Sequence, residues 1–262
     1  MLLDIDGSAI QGVKESLMSR RKYVSMVMIL LMMASMLVGC GGQSAGGNET
    51  ANTEVVEEQQ GIDYMVLVNK ENKLPDTWED ELEITTITNS VGDEVQVETA
   101  AYEAYLKLKE DVEKELADRK VELQLDSAYR SVEAQQHIWD DFTEKYGDEY
   151  TKTYVAVPGY SEHHTGLALD LYFIVDGKEV YENEDLVQYP EIWEVIHAKL
   201  DNYGFILRYL EGKEEVTGYG YEQWHIRYVE SPEIAKEIMD KGIVLEEYLN
   251  KLPGEDVYDE VA

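Results

Sequence analysis

Basic residues are scarce in this sequence. The 262-residue chain carries 22 Lys and Arg against 55 Asp and Glu, a formal net charge of −33. A protein that coats DNA or RNA needs cations to replace phosphate counterions, so nucleic acid is excluded as a partner. An anionic ligand would need a locally placed Arg. Cysteine is rarer still. Cys40 stands alone, which excludes an internal disulfide and a thiolate zinc cluster. Phosphate-loop and Rossmann glycine patterns are absent, so no nucleotide cofactor is implied, and no His-Glu-x-x-His helix signals the common zinc-protease arrangement. Phe occurs 3 times against 19 Tyr, which reads as a semi-polar aromatic surface. The residues that are present suffice for a core: 44% are hydrophobic, which excludes disorder of the whole chain. The length suits one large domain or two small ones.

The longest apolar run, Val24 to Val38, spans 15 residues, short of the ~20 that a spanning helix needs. Lys14, Arg20, Arg21 and Lys22 precede it and Leu37-Val38-Gly39-Cys40 end it. A basic segment, an apolar stretch and small residues before a cysteine resemble a bacterial lipoprotein signal. That resemblance implies cleavage before Cys40, lipid on its thiol, and an exported protein anchored at the outer face of the cytoplasmic membrane. Met18 followed by Ser19, Arg20, Arg21 and Lys22 reads as a better start of such a signal than Met1. Residues 1–40 are therefore expected to be a signal peptide and 41–62, rich in Gly, Ser, Asn, Glu and Gln, a flexible linker. One folded domain is expected over 63–252, followed by an acidic tail over 253–262.

Within the domain, Tyr64–Val68 and Leu82–Thr88 read as strands. Glu98 to Arg119 reads as a helix with Tyr102, Tyr105, Leu106, Leu108, Val112 and Leu116 at helical spacing. Val121–Leu125, Leu167–Ile174, Phe205–Tyr209 and Glu222–Val229 read as strands. Helices are expected from Ser131 to Tyr146, stopped by Gly147, from Pro190 to Asn202, closed by Gly204, and from Ser231-Pro232 onward. Strands and helices do not alternate regularly, so the fold class is α+β rather than doubly wound.

Five histidines are present: His137, His163, His164, His197 and His225. His163 and His225 with Asp170 offer two nitrogens and an oxygen. Three protein ligands with one open position suit a catalytic zinc. Glu222, three residues before His225, is near enough to act on water there, and the planar fork of Arg130 suits a carboxylate or an oxyanion. Spacing alone leaves open that these histidines are structural. His137 and His197 fall in helices and read as structural or exposed. His164 reads as a surface residue or a neighbour of the site, Glu162 as a neighbour of the site or, more simply, solvated, and Trp224 as packing that holds the turn beside His225. Trp78, Trp139 and Trp193 read as core or surface anchors.

Three motifs add to this reading. Ser161, His163, Gly166, Ala168 and Asp170 satisfy Ser-x-His-x-x-Gly-x-Ala-x-Asp. Glu222, Trp224 and His225 satisfy Glu-x-Trp-His. Tyr129, Arg130 and Ser131 form Tyr-Arg-Ser with Gln135 five residues after the Arg. Together with Leu67-Val68-Asn69-Lys70 and Tyr203 to Tyr209, they resemble the VanY-type D-alanyl-D-alanine carboxypeptidases, in order, from about 64 to 250. Gln223 departs from the Pro common there, at a position that is not a ligand. The resemblance implies a single hedgehog/DD-peptidase-like α+β domain with a small antiparallel sheet and flanking helices. It implies Zn2+ held by His163, Asp170 and His225, Glu222 as general base and acid, and Arg130 on the oxyanion or the substrate. Gln135 and Ser161 would line the substrate pocket. The implied activity is removal of terminal D-Ala from peptidoglycan stem peptides. An L,D-carboxypeptidase acting on tetrapeptide stems, an endopeptidase, and a non-catalytic zinc-stabilised wall-binding module are the rivals. Arg130, and Arg208 after it, are the cations expected to meet a terminal carboxylate.

Overall fold

The computed structural model describes residues 61–252. The expected signal peptide, Cys40, the linker up to residue 60 and the acidic tail lie outside the described residues.

A two-stranded hairpin pairs β1 (Ile84–Thr88) with β2 (Glu94–Glu98). The following helix, α1 (Thr99–Glu115), starts on the spot. Glu98, the last strand residue, caps it by accepting from the Ala101 N–H at 2.7 Å, which satisfies one of the free donors of the first turn. The helix buries Ala101, Ala104, Tyr105, Leu108 and Val112, whereas Leu106 is exposed. The apolar stripe is thus narrower than the sequence pattern implies, and a 3-10 turn at Ala117–Arg119 replaces its last turn.

The main sheet is antiparallel. β3 (Val121–Ser127), β4 (Ala168–Val175), β7 (Glu222–Tyr228) and β6 (Phe205–Tyr209) lie side by side in that order, and β5 (Lys178–Val180) pairs with β4. Between β3 and β4 come α2 (Val132–Tyr146), capped by the Ser131 hydroxyl, and α3 (Asp148–Tyr154). The short α4 (Asn183–Leu186) and α5 (Pro190–His197) precede β6, and α6 (Glu214–Thr217) lies between β6 and β7. α7 (Pro232–Lys241) and α8 (Leu245–Tyr248) close the domain. The expected α+β class and small antiparallel sheet are what the chain forms.

One face of the sheet carries the main core. Leu123, Leu125, Leu169, Leu171, Phe205, Leu207 and Ile226 pack there with Leu108 and Val112 of α1 and Trp193 of α5. On the other face, Ile206 meets Ala235 and Ile238 of α7, Leu245 of α8, Leu67 and Val229. The strand pleat, which sends successive side chains to opposite faces, explains why Ile206 separates from its neighbours.

Three expectations differ from the structure. Tyr64–Val68 is not a strand. The Asp63 carboxylate accepts from Met65 N–H and its carbonyl from Val66 N–H, which makes a turn. The carbonyls of Tyr64 and Val66 accept from the Arg227 guanidinium, at 3.0 and 2.8 Å, in place of a ladder partner. The helix expected over Pro190–Asn202 ends at His197, and a 3-10 turn over Leu200–Tyr203 follows. The tyrosines are not confined to the surface. Tyr105, Tyr172, Tyr209 and Tyr228 are buried, and the Tyr105 hydroxyl donates to the Leu123 carbonyl at 3.1 Å, the partner that a buried phenol requires.

Gly204 closes that 3-10 turn at φ +73°, where an added Cβ would lie 2.5 Å from the Glu230 carbonyl oxygen. Positive φ and a backbone clash both penalise a side chain. Gly204→Ala is expected to destabilise the domain by at least about 1–3 kcal/mol, read as a lower urea midpoint with unchanged slope.

Candidate functional site

The pleat also builds the site. Asp170 of β4 sits opposite His225 of β7 in the strand register. Each is flanked by core residues, Leu169 and Leu171 for the first and Ile226 for the second, so both project from the face away from the main core. Ser127 of β3 sits opposite Asp170 on its other side. An irregularity between Leu125 and Ser127 turns this residue toward the same face, a common use of a bulge. His163 arrives from the 3-10 turn Glu162–Thr165. That turn ends in Gly166 at φ +72°, where a Cβ would press on the Glu98 backbone at 3.3 Å.

The result is a compact set in which one ligand atom each from His163, Asp170 and His225 lies within 4.8 Å of the others. Hydrogen bonds set the chemistry of the two rings. The Nδ1 of His163 is 2.8 Å from the Ala128 carbonyl, which can only accept, so Nδ1 carries the proton. Burial pushes this imidazole below its ordinary range, against the attraction of Asp170, which keeps the ring neutral. Its Nε2 therefore presents a bare lone pair to Asp170 Oδ2 at 3.2 Å. Two acceptors facing each other need a cation between them, and two imidazole nitrogens with a carboxylate are donors that suit zinc.

His225 lies between two carboxylates. Its Nδ1 is 2.9 Å from Asp170 Oδ1 and its Nε2 is 3.0 Å from Glu162 Oε2. Burial acts to lower this imidazole, but the hydrogen bonds to Asp170 and Glu162 outweigh it and push it up to about 10. The His163 ring stands edge-on to it at 5.0 Å, and the Tyr209 ring packs against it at 4.8 Å.

Glu222 opens β7, with Oε2 3.9 Å from His225 Nδ1. Its side chain is 32% exposed. Burial of the rest, helped by the charges of Asp170 and Glu162 against that of His225, raises it to about 7, a value suited to general acid–base work near neutrality. Arg130 approaches from the other side. Its Nη1 donates to Gln135 Oε1 at 2.9 Å and its Nη2 to Ser127 Oγ at 3.3 Å, and its N–H donates to the His163 carbonyl. Burial lowers this guanidinium, and the charges of Asp170 and Asp126 oppose the change, which places Arg130 within the electrostatic reach of the site.

The other candidates take the following places. Gln135 is buried against Arg130, its Nε2 donating to the Ala156 carbonyl at 2.8 Å while its Oε1 holds the guanidinium. Ser161 is buried where the turn begins. His164 is not a surface residue: it is buried, with Nδ1 2.6 Å from the Arg130 carbonyl and Nε2 accepting from Gly159 N–H. His197 is a half-buried structural residue, its Nε2 2.9 Å from the Gln223 carbonyl. Arg208 cannot meet a substrate carboxylate, since it is fully buried and gripped by Glu162 and, through two nitrogens, by Glu246. Glu162 takes the less simple of its two readings. It is 3% exposed rather than solvated, and it touches His225, Arg208 and Arg227. The one signal that pointed to it was adjacency to His163 within the motif.

Gln135 holds Nη1 of Arg130 while Ser127 holds Nη2, so removing the Gln135 amide leaves the buried Ala156 carbonyl without its donor and releases one side of the guanidinium. Gln135→Leu is expected to cost about 1–3 kcal/mol of stability, measured by urea denaturation as a lower midpoint with unchanged slope.

Comparison with known proteins gives the same residues a family. The family model of VanY, D-alanyl-D-alanine carboxypeptidase, matches residues 94–231, which hold Arg130, Gln135, His163, Asp170, Glu222 and His225. A Bacillus subtilis (strain 168) protein, putative carboxypeptidase YodJ, is 36% identical over 202 residues, covering 76% of this chain and 71% of the relative. A D-alanyl-D-alanine carboxypeptidase of Enterococcus faecalis (strain ATCC 700802 / V583) is 33% identical over 221 residues, covering 80% and 75%. Among solved structures, a VanY D,D-pentapeptidase mutant from a VanB-type resistance cassette, in complex with Zn(II), superposes with a TM-score of 0.57 at 32% identity, covering 71% of this chain and 99% of that one. The LdcB LD-carboxypeptidase gives a TM-score of 0.61 at 34% identity, covering 71% and 85%. A sheet and an adjoining turn that bring His163, Asp170 and His225 together, within a match of this extent, lead to one conclusion: the chain belongs to the VanY family of D-alanyl-D-alanine carboxypeptidases.

Proposed function

We propose that this peptidase is a zinc enzyme that removes the terminal D-Ala from peptidoglycan stem peptides, tethered to the outer face of the cytoplasmic membrane by lipid on Cys40. The observation that carries the catalytic reading is the lone pair of His163 Nε2 facing Asp170 Oδ2 at 3.2 Å, with Glu222 beside the same point. His163, Asp170 and His225 would hold the metal. Zinc at such a site polarises a carbonyl and brings the pKa of water from about 15.7 toward about 7.

This chain's own groups do the rest. Glu222 takes a proton from the attacking water on its carboxylate and returns it to the leaving amine, so that water adds across the peptide bond and D-Ala departs with a free amino group. Arg130, aimed by Gln135 and Ser127, offers paired N–H donors either to the developing oxyanion or to the terminal carboxylate. In a chain of net charge −33, that cation also offsets the repulsion of an anionic peptide end. Glu222 disfavours a purely binding role, because recognition alone needs no base beside the ligands.

The likeness to the LdcB LD-carboxypeptidase supports a second reading, cleavage of tetrapeptide stems. Mass analysis of products from penta- and tetrapeptide muropeptides separates the two: loss of one alanine from the pentapeptide alone is the expected result. The anchoring reading rests on the apolar run ending at Cys40. Among the described residues no helix is long and apolar enough to cross a membrane.

Glu222→Gln keeps the ligand set and removes the proton carrier. It is expected to bind zinc as the wild type does and to lose roughly 10²–10⁴-fold in kcat; near-wild-type hydrolysis of D-Ala-D-Ala peptides would refute the assigned role. Amidation of the peptide C-terminus removes the charged hydrogen bond to Arg130, whose loss costs about 1.5–3 kcal/mol. Amidated peptide is therefore expected to show a kcat/KM at least ~10-fold lower. Equal rates on both forms would indicate an endopeptidase instead.

A further inference from the structure

A buried ion network lies directly behind His225. Arg208 and Arg227 are fully buried, as is Glu246. The pleat explains why both arginines reach the same place. Arg227 lies two residues along β7 from His225, and Arg208 two along β6 from Ile206, so both project from the face that carries Asp170. Glu246 accepts from both terminal nitrogens of Arg208 at 2.7 and 2.9 Å and from Asn69 Nδ2 at 3.1 Å. Arg227 spends its remaining donors on the carbonyls of Tyr64, Val66 and Tyr228.

The two oxygens of Glu162 are used differently. Oε1 accepts from Arg208 Nε at 2.7 Å and from Arg227 Nη1 at 2.8 Å. Oε2 faces His225 Nε2 at 3.0 Å. A carboxylate that served only as counter-ion to the arginines would gain by offering them both oxygens, since paired contacts are the stronger arrangement. Here two guanidinium groups converge on one oxygen and the other is left for the imidazole. The turn that carries Glu162 is itself locked, because the Thr165 hydroxyl donates to the Glu162 carbonyl at 2.7 Å and accepts from Leu167 N–H.

We propose that Glu162 is a positioning residue of the metal centre: clamped through Oε1 by Arg208 and Arg227, it accepts the Nε2 proton of His225 on Oε2 and so presents His225 Nδ1 as the ligand. This rests on the zinc reading given above. A histidine that binds a metal through one nitrogen commonly donates from the other to a carboxylate, which fixes ring and tautomer, and losing that partner typically weakens metal binding about 10–100-fold.

The test uses the full chain, metal-free, with zinc added in competition with a chromophoric chelator. Glu162→Gln keeps the size of the side chain but turns an N–H donor toward either the arginines or the imidazole, and is expected to bind zinc about 10–100-fold more weakly. Zinc affinity equal to wild type overturns the proposal. Glu246→Gln disturbs the far end of the network and leaves the Glu162–His225 contact in place; it is expected to lower Tm while zinc affinity stays close to wild type. An equal loss of zinc affinity in both variants would assign the effect to the network's charge and overturn the specific role of Glu162. Should Glu162→Gln fail to fold, the wild-type protein decides. ¹⁵N NMR of the histidine rings in the zinc-loaded chain is expected to show His225 protonated at Nε2 and metal-bound at Nδ1, and the reverse assignment overturns the proposal. None of these readouts uses hydrolysis. Zinc bound with the expected tautomer in a chain that leaves D-Ala-D-Ala intact would refute the carboxypeptidase reading alone.

Discussion

The charge on Glu162 is the constraint around which the domain is arranged. A carboxylate taken out of water costs several kcal/mol unless cations and hydrogen bonds replace its solvent. Two guanidinium groups outweigh the penalty of burial and hold Glu162 well below the usual carboxylate range. Those arginines are themselves buried and need partners in turn. Arg208 recruits Glu246 from α8, and Arg227 recruits the backbone carbonyls of Tyr64 and Val66. The demand for charge balance thus ties the first described segment and the last helix to strands β6 and β7. Two carboxylates face two guanidinium groups, so the network is neutral. Replacing such a network with apolar residues is often no less stable, which makes its contact with His225 the feature that hydrophobic packing would not supply.

Strand alternation does the remaining spatial work. Alternate residues along β6 and β7 join the main core, and Arg208, His225 and Arg227 share the opposite face with Asp170, which lies between Leu169 and Leu171 of β4. A one-residue slip in register would send every one of them to the wrong side. The irregularity in β3 brings Ser127 to Arg130, and that between Leu207 and Tyr209 accompanies the packing of the Tyr209 ring on His225. The candidate ligands Asp170 and His225 and their support therefore depend on the same pairing that forms the core.

Much of this was legible in the sequence, for identifiable reasons. His163, Asp170, Glu222 and His225 stand in short motifs whose residues are close in the chain or opposite one another in adjacent strands, so local pattern carries the information. The Ser131 and Ser231 caps and the Gly147 and Gly204 stops are likewise local chemistry. What was not legible depends on long-range partners. Glu162 reads most simply as solvated, although it stands beside His163, because glutamate usually is; its burial follows from arginines 46 and 65 residues away. Tyr64–Val68 has the composition of a strand, yet Arg227, more than 160 residues distant, takes its carbonyls. Strand β2, Glu-Val-Gln-Val-Glu, alternates clearly, but its last residue doubles as the helix cap and the two elements merge in sequence.

The contrast between Glu162 and Glu222 shows how one cluster supports two roles for the same side chain. Both flank His225, at 3.0 and 3.9 Å. Glu162 has two guanidinium groups on one oxygen and stays ionised, which suits an acceptor that must never release its hydrogen bond. Glu222 has no arginine in contact among the described residues and feels the negative charges of Asp170 and Glu162, so partial burial raises it to about 7. A carboxyl poised there exchanges its proton readily at neutral pH. The arginines hold one carboxylate silent, and that fixed charge helps to push the other into the range where a proton can be taken up and handed on. In an acidic chain with few cations, two of them, Arg208 and Arg227, are committed to Glu162, whereas Arg130 is held by Gln135 and Ser127, so the charge that supports His225 is kept apart from the guanidinium beside Ser127.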